Sequence, residues 1–314
     1  MICPALAPVA RILDALVLAA PARASLIERV WASVRGHPLE YGTAAAALVA
    51  LGALLWVGIL RPGGLDTKKR DVSGHPAWMW LACAVMAYSG AVIGGSLAAQ
   101  LPGVAEDLKS ERSLAIVSLA SGLGGVVASW VVARLVAGAG AAASGVTPRW
   151  SDLPRGVLCF ALGAPIVQGV SLVTGVVYLW INHAEAPHAA HPLLKELQDS
   201  PRDAWVWAKL GGAVVLAPLM EEFIYRGFVQ TGLLRLTGRA WVSVWLTAAA
   251  FAGMHVIGPA GSRVDWTSVP TLLVLGAAMG AAYERTGRIG VPMTMHALFN
   301  AGNVAVMWLT MKNP

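Results

Sequence analysis

Residues Leu210–Leu234 read LGGAVVLAPLMEEFIYRGFVQTGLL. A stretch of about 20 mostly apolar residues is enough to cross a bilayer, and this one qualifies except for Glu221, Glu222 and Arg226 near its centre. A charged side chain at the middle of a membrane helix costs about 2.5–3.5 kcal/mol. Helical spacing offsets part of that cost, because Glu222 and Arg226 lie four apart on one face and can pair. Glu221 is turned by about 100° from Glu222 and shares its face with Pro218, Tyr225 and Phe228, so it is left without a main partner. Pro218 removes a backbone donor one turn earlier and is expected to kink the helix, opening a water-filled pocket beside the spare carboxylate.

The rest of the chain fits this setting. Its 314 residues are 57% hydrophobic and 13% charged, with a mean hydropathy of +0.64, whereas a soluble domain carries about 25% charged residues. Apolar stretches of spanning length predict eight transmembrane helices, at Tyr41–Leu60, Trp78–Leu101, Leu114–Gly138, Gly156–Ile181, Leu210–Leu234, Trp241–Ile257, Val269–Tyr283 and Ile289–Thr310. Spans must satisfy their own backbone hydrogen bonds and no barrel-like alternation is visible, so the expected fold is an all-α, polytopic helical bundle in the lipid bilayer. The organisation reads as an N-terminal interfacial or leader segment (1–40), a transmembrane region without evident chemistry (41–182), a charged surface loop (183–208) and a polar-cored transmembrane region (209–310).

Net charge is +6 and the pI is near 9.5, but the basic residues sit in loops. Arg61, Lys68, Lys69, Arg70, Lys109, Arg112, Arg149 and Arg155 read as side chains bordering spans. No basic stripe with interleaved aromatics argues for nucleic acid. Cys3, Cys83 and Cys159 form no motif, and the last two pack as small hydrophobes. His183, His188 and His191 lie in the charged loop with no zinc spacing and read as solvated. Pro192–Gln198 is predicted to form a short amphipathic helix on the surface.

Two later spans bear on Glu221. FAGMH sets Phe251 and His255 four apart, and HALFN sets His296 and Asn300 four apart. Two histidines, an asparagine and a spare glutamate in three spans joined by short connections predict one polar cavity, and ionisable groups at that depth mark a functional site by default.

The three motifs Glu221-Glu222-Phe-Ile-Tyr-Arg226, Phe251-Ala-Gly-Met-His255 and His296-Ala-Leu-Phe-Asn300 resemble the CPBP group. This group contains the type II CAAX prenyl endopeptidases and bacterial relatives, some described as bacteriocin-processing or immunity proteins. The resemblance covers about Lys209–Val306. It implies hydrolysis of a peptide bond in a membrane-embedded, lipidated or otherwise anchored substrate. Glu221 would then act as general base towards water, His255 would help position that water, and His296 with Asn300 would form an oxyanion hole. Glu222 and Arg226 would pair and orient Glu221.

On this reading no cofactor is required. The alternative is a zinc site with Glu221, His255 and His296 as ligands, although no His-Glu-x-x-His pair is present. A non-catalytic immunity or scaffold protein is a further alternative, and a proton-coupled transporter a weaker one without half-helices or repeats. Ala-, Gly- and Arg-rich usage points to a bacterial cell membrane, where prenylated CAAX proteins are not expected.

Overall fold

The structure, a computed structural model, describes residues 38–66, 70–138, 142–182, 192–256 and 266–312. The N-terminal segment up to residue 37 and the three loop histidines, on which expectations were stated, lie outside the described residues. Among those described there is no strand, and the helices run in the order α1 (Pro38–Trp56), α2 (Ala77–Ala99), α3 (Glu111–Val136), α4 (Leu153–Asn182), α5 (Pro192–Asp199) and α6 (Ala204–Glu222). A π-helical stretch, Phe223–Gln230, continues α6 into α7 (Thr231–Thr237), followed by α8 (Ala240–Val256), α9 (Val269–Thr286) and α10 (Gly290–Lys312).

Each predicted span corresponds to one helix, with α6, the π-helical stretch and α7 forming the fifth. The regions Ala77–Ala99, Glu111–Val136 and Trp150–Asn182 are long and apolar enough to cross a membrane by length and composition. The other predicted spans are shorter or interrupted by the polar groups that make them interesting. Helix α8 has only 17 residues, and α9 carries Glu284 and Arg285 in its last turn. The all-helical, apolar architecture is that of an integral membrane protein, with large side chains such as Trp78, Leu97 and Trp180 exposed on its outer surface.

Small residues let the helices approach closely, as membrane packing requires where apolar surface alone does not drive association. A Cβ on Gly90 would come within 2.3 Å of the Ala128 Cβ, and one on Gly94 within 2.4 Å of the Ala120 carbonyl, so α2 and α3 cross almost backbone to backbone. Across α3 from there, α6 seats Met220 against Gly125 and Leu216 against Gly122. Two apolar cores follow. One gathers Trp80, Phe223, Phe228, Tyr283 and Ile289; the other gathers Val167, Phe251, Met279, Met295 and Phe299, with Tyr225 packed on it.

That division corrects the helical-face reading of the fifth span. Phe228 stacks on Phe223 in the first core, whereas Tyr225 meets Phe251 edge-on in the second. Phe228 does not share a face with Glu221, because the chain leaves α-helical winding at Phe223 and i→i+5 turns advance more slowly than 100° per residue. Arg70, read as a residue bordering a span, is buried instead and pairs with Glu284. The short surface helix is present as α5, whose Leu194 and Leu197 pack on Val206, Leu210 and Met307. Lys209 ties it down by pairing with Glu196 on α5 and with Glu111 on α3.

Candidate active site

Glu221 is the next-to-last residue of α6, Glu222 the last, and Arg226 lies one turn into the π-helical stretch. From α8 comes His255, and from α10 His296 and Asn300. The structure brings these elements together. Glu221 Oε2 lies 3.6 Å from His255 Nε2 and 3.9 Å from His296 Nε2. Neither separation is a hydrogen bond, and Glu221 Oε2 has no hydrogen-bond partner although the atom is buried.

The other ring nitrogens explain why. His255 Nδ1 is 2.8 Å from the Phe251 carbonyl, which can only accept, so the ring donates there. His296 Nδ1 lies 2.9 Å from Glu222 Oε1 and donates to that carboxylate. In a neutral imidazole whose Nδ1 carries the proton, Nε2 presents a lone pair. Glu221 Oε2 and His255 Nε2 therefore converge as acceptors, and His296 Nε2 faces the same point, an acceptor in the neutral ring and a donor when the ring carries a second proton. A group with hydrogens to donate, such as water, satisfies the two acceptors, which cannot satisfy one another.

There is room for it. Glu221, His255, His296 and Asn300 line one cavity of about 90 Å³ together with Ala213, Ala217 and Asn303, several times the roughly 10–15 Å³ that one water needs by the same measure. The Glu221 and His255 side chains keep 20% and 22% of their surface exposed, against 2% for His296. The cavity is thus open at the carboxylate and closed behind the second histidine. Leu193 and Leu194 of α5 form part of its wall. Pro218, expected beside this pocket, borders a separate apolar cavity with Met293 and Ala297.

Behind the cavity the charges are paired. Arg226 Nη1 donates to Glu222 Oε1 at 2.8 Å, with both side chains fully buried, and its Nη2 donates to the Gly276 carbonyl at 3.1 Å. Glu222 Oε1 therefore holds Arg226 and His296 at once. The bond from His296 could not be read from helical spacing, which places a ring on a face without saying which nitrogen meets which neighbour. Phe251 acts as a plate between the parts: its ring lies 4.3 Å from His255 and 5.6 Å from His296, and the Arg226 guanidinium sits 4.7 Å from its centroid. Asn300 donates from Nδ2 to the Ala213 carbonyl at 2.8 Å, which anchors the amide to α6 and leaves one Nδ2 hydrogen free.

Among the described residues, no group of three His, Cys, Asp and Glu side chains is arranged to hold a metal ion. Comparison with known proteins gives the family context. Residues 203–302 match the family model described as type II CAAX prenyl endopeptidase, Rce1-like. The matched region contains all three motifs and ends just beyond Asn300. No curated protein and no solved structure matches the chain.

Proposed function

We propose that the protein is an intramembrane endopeptidase that hydrolyses a peptide bond of a membrane-anchored or lipidated peptide, using water activated by Glu221 and no metal. The observation that carries this reading is the convergence of Glu221 Oε2, His255 Nε2 and His296 Nε2 on a cavity with room for water, within a region matching a prenyl endopeptidase family. A water in that cavity would donate to Glu221 and to His255, leaving its own lone pair directed at a scissile carbonyl carbon.

In the first step the water oxygen bonds to the carbonyl carbon and its proton passes to Glu221. The carbonyl π electrons move to oxygen, and the oxyanion accepts from the free Nδ2 hydrogen of Asn300 and from His296 Nε2–H. His296 can donate from Nε2 only as the imidazolium, since Glu222 already takes Nδ1–H. In the second step the C–N bond breaks and Glu221 returns its proton to the leaving amine. The oxyanion's electrons re-form the C=O bond, and the products are a free amine and a carboxylic acid, which then loses its proton to solvent.

The test uses the full-length chain in detergent micelles with a prenylated, internally quenched CAAX peptide. In parallel, the C-termini of membrane proteins would be compared in cells with and without the gene. Cleavage by the unsubstituted protein, lost in Glu221→Gln at unchanged protein level, is the expected result. An unsubstituted protein that neither cuts the peptide nor alters any membrane-protein C-terminus would leave a non-catalytic immunity or scaffold role as the better reading.

A further inference from the structure

A second group of buried polar side chains lies at the other end of the π-helical stretch and lines none of the cavities described. Arg70 donates to Glu284, to the Thr231 hydroxyl and, at 2.8 Å, to the Ser144 carbonyl. Its guanidinium lies 3.8 Å from the centroid of the Tyr283 ring, and the Tyr283 hydroxyl donates to the same Ser144 carbonyl at 3.0 Å. Gln230 Nε2 donates to Glu284 Oε1 at 2.7 Å and to the Gly280 carbonyl at 3.1 Å. The side chains of Arg70 and Glu284 retain only 1% and 4% of their surface, so no substrate reaches them.

We infer that Arg70, Gln230, Thr231 and Glu284 form a positioning unit, which fixes the π-helical stretch on α9 and thereby holds Glu222 and His296 in register for Glu221. This deepens the proposed protease reading and rests on it for the roles of Glu221 and His296.

Two features carry the inference. The first is register. Arg226 and Gln230 are four apart and reach the carbonyls of Gly276 and Gly280, also four apart. They form two rungs between the π-helical stretch and α9, and a slip by one residue would break both. Gly280 leaves room for the second rung: a Cβ there would lie 2.7 Å from Gln230 Oε1.

The second is continuity. The Thr231 hydroxyl accepts from Arg70 and donates to the Arg226 carbonyl at 3.3 Å. Arg226 then holds Glu222, and Glu222 holds His296 Nδ1. An unbroken run of polar contacts links Arg70 to the ring whose Nε2 faces Glu221. Such a run can transmit a change of position, though only measured coupling establishes that it does. π-Helical turns are uncommon and gather at functional sites, so contacts from outside the helix are an expected means of holding one.

Thr231→Val removes the hydroxyl bridge while leaving the Arg70–Glu284 pair, and Thr231→Ser restores it. The full-length chain, labelled with ¹⁵N in its imidazoles, is observed by NMR in micelles, with His296 assigned by its loss in His296→Gln. Thr231→Val is expected to displace or broaden the His296 Nδ1 signal while leaving His75 unchanged, and Thr231→Ser to return it. With the CAAX peptide, Thr231→Val is expected to lower kcat by up to about 10²-fold at nearly constant KM, as a misplaced catalytic group does. Gln230→Met carries the same expectation and serves if Thr231→Val does not fold. An unshifted His296 signal in the folded variants overturns the inference even if the protease reading holds. Failure of the unsubstituted protein to cut peptide counts against the protease reading alone, since the NMR signal is read without substrate.

Discussion

Among the described residues are two buried arginine–glutamate pairs, one towards each end of the same π-helical stretch, and they differ in what lies beside them. Arg226–Glu222 backs onto a cavity in which the neighbouring Glu221 carboxylate has an oxygen with no hydrogen-bond partner. Arg70–Glu284 is closed on all sides by Gln230, Thr231, Tyr283 and the Ser144 carbonyl. Burial and pairing are common to both, so neither marks a reactive site. A buried ion pair is weak evidence even for stability, since desolvation can cancel its Coulombic gain. Each cluster also holds a buried acceptor without a partner, Glu221 Oε2 in the first and Gln230 Oε1 in the second. What distinguishes the first is that its unpaired acceptor belongs to a residue lining a cavity with two histidines, whereas Gln230 lines none of the cavities described.

The sharpest way to break this comparison is to neutralise one carboxylate from each cluster. Glu221→Gln should lower turnover by about 10²–10⁴, the range for losing a general base, with little change in the amount of folded protein. Glu284→Gln should do the opposite, reducing folded protein because Arg70 is left as an uncompensated buried charge. Peptide cleavage normalised to folded protein, measured by size-exclusion chromatography, separates the two. Equal loss of folded protein in both variants would make Glu221 a structural residue.

Arg226→Ala tests the boundary between the clusters. It leaves Glu222 buried without its cation, a change that costs about 3–5 kcal/mol, so thermal stability should fall sharply. Activity per folded molecule should also fall, because His296 Nδ1 shares the same carboxylate oxygen. A variant with normal melting and no activity would show that Arg226 acts in the chemistry rather than behind it.

How much of this was legible in sequence follows from the range of the contacts. Helix positions and the grouping of Glu221, His255, His296 and Asn300 could be read from apolar runs and four-residue spacings, because both are local patterns. The Glu222–Arg226 pair was legible for the same reason. The Arg70–Glu284 pair was not. Arg70 sits beside Lys68 and Lys69 in what reads as an ordinary basic loop, and its partner lies 214 positions away. Gln230 gave no signal, since one amide in an apolar run is unremarkable until Gly280 and Glu284 are placed beside it. The face of Phe228 was misread because propagating α-helical phase past Phe223 assumes a winding that the chain abandons there.

Asn300 offers a smaller and more specific test. Asn300→Ala should cost about 10²–10³ in kcat, as for removal of one oxyanion donor, with a lesser effect on KM. Part of the loss will come from freeing the Ala213 carbonyl that the amide now binds. Elemental analysis of the same preparations addresses the zinc alternative. One tightly bound zinc per chain, lost in His296→Ala but retained in Asn300→Ala, would replace the metal-free mechanism while leaving the protease.

The smallest effect is expected at Lys209, where the molecule holds α5 over the cavity. Lys209 lies one residue before the fifth predicted span, and its ammonium pairs with Glu196 and Glu111, both partly exposed. Pairs of that kind contribute about 0.2–1 kcal/mol each, so Lys209→Gln should lower the melting temperature only slightly. Burial pulls the Lys209 pKa down, but the hydrogen bonds and charges of Glu111 and Glu196 outweigh it and raise the value above that of an ordinary lysine. A raised pKa contributes stability that is fully present below the ordinary lysine value and lost as pH rises through the raised one. The melting difference between the unsubstituted protein and Lys209→Gln should therefore stay constant from pH 7 to about 9, below the ordinary lysine pKa of roughly 10.4, and close only above it. Cleavage should change less than stability, because Leu194 and Leu197 still pack α5 against Val206, Leu210 and Met307 without the tether. A large loss of cleavage at an unchanged melting temperature would instead assign Lys209 to substrate entry, and would move the boundary between architecture and reactivity out to the rim of the cavity.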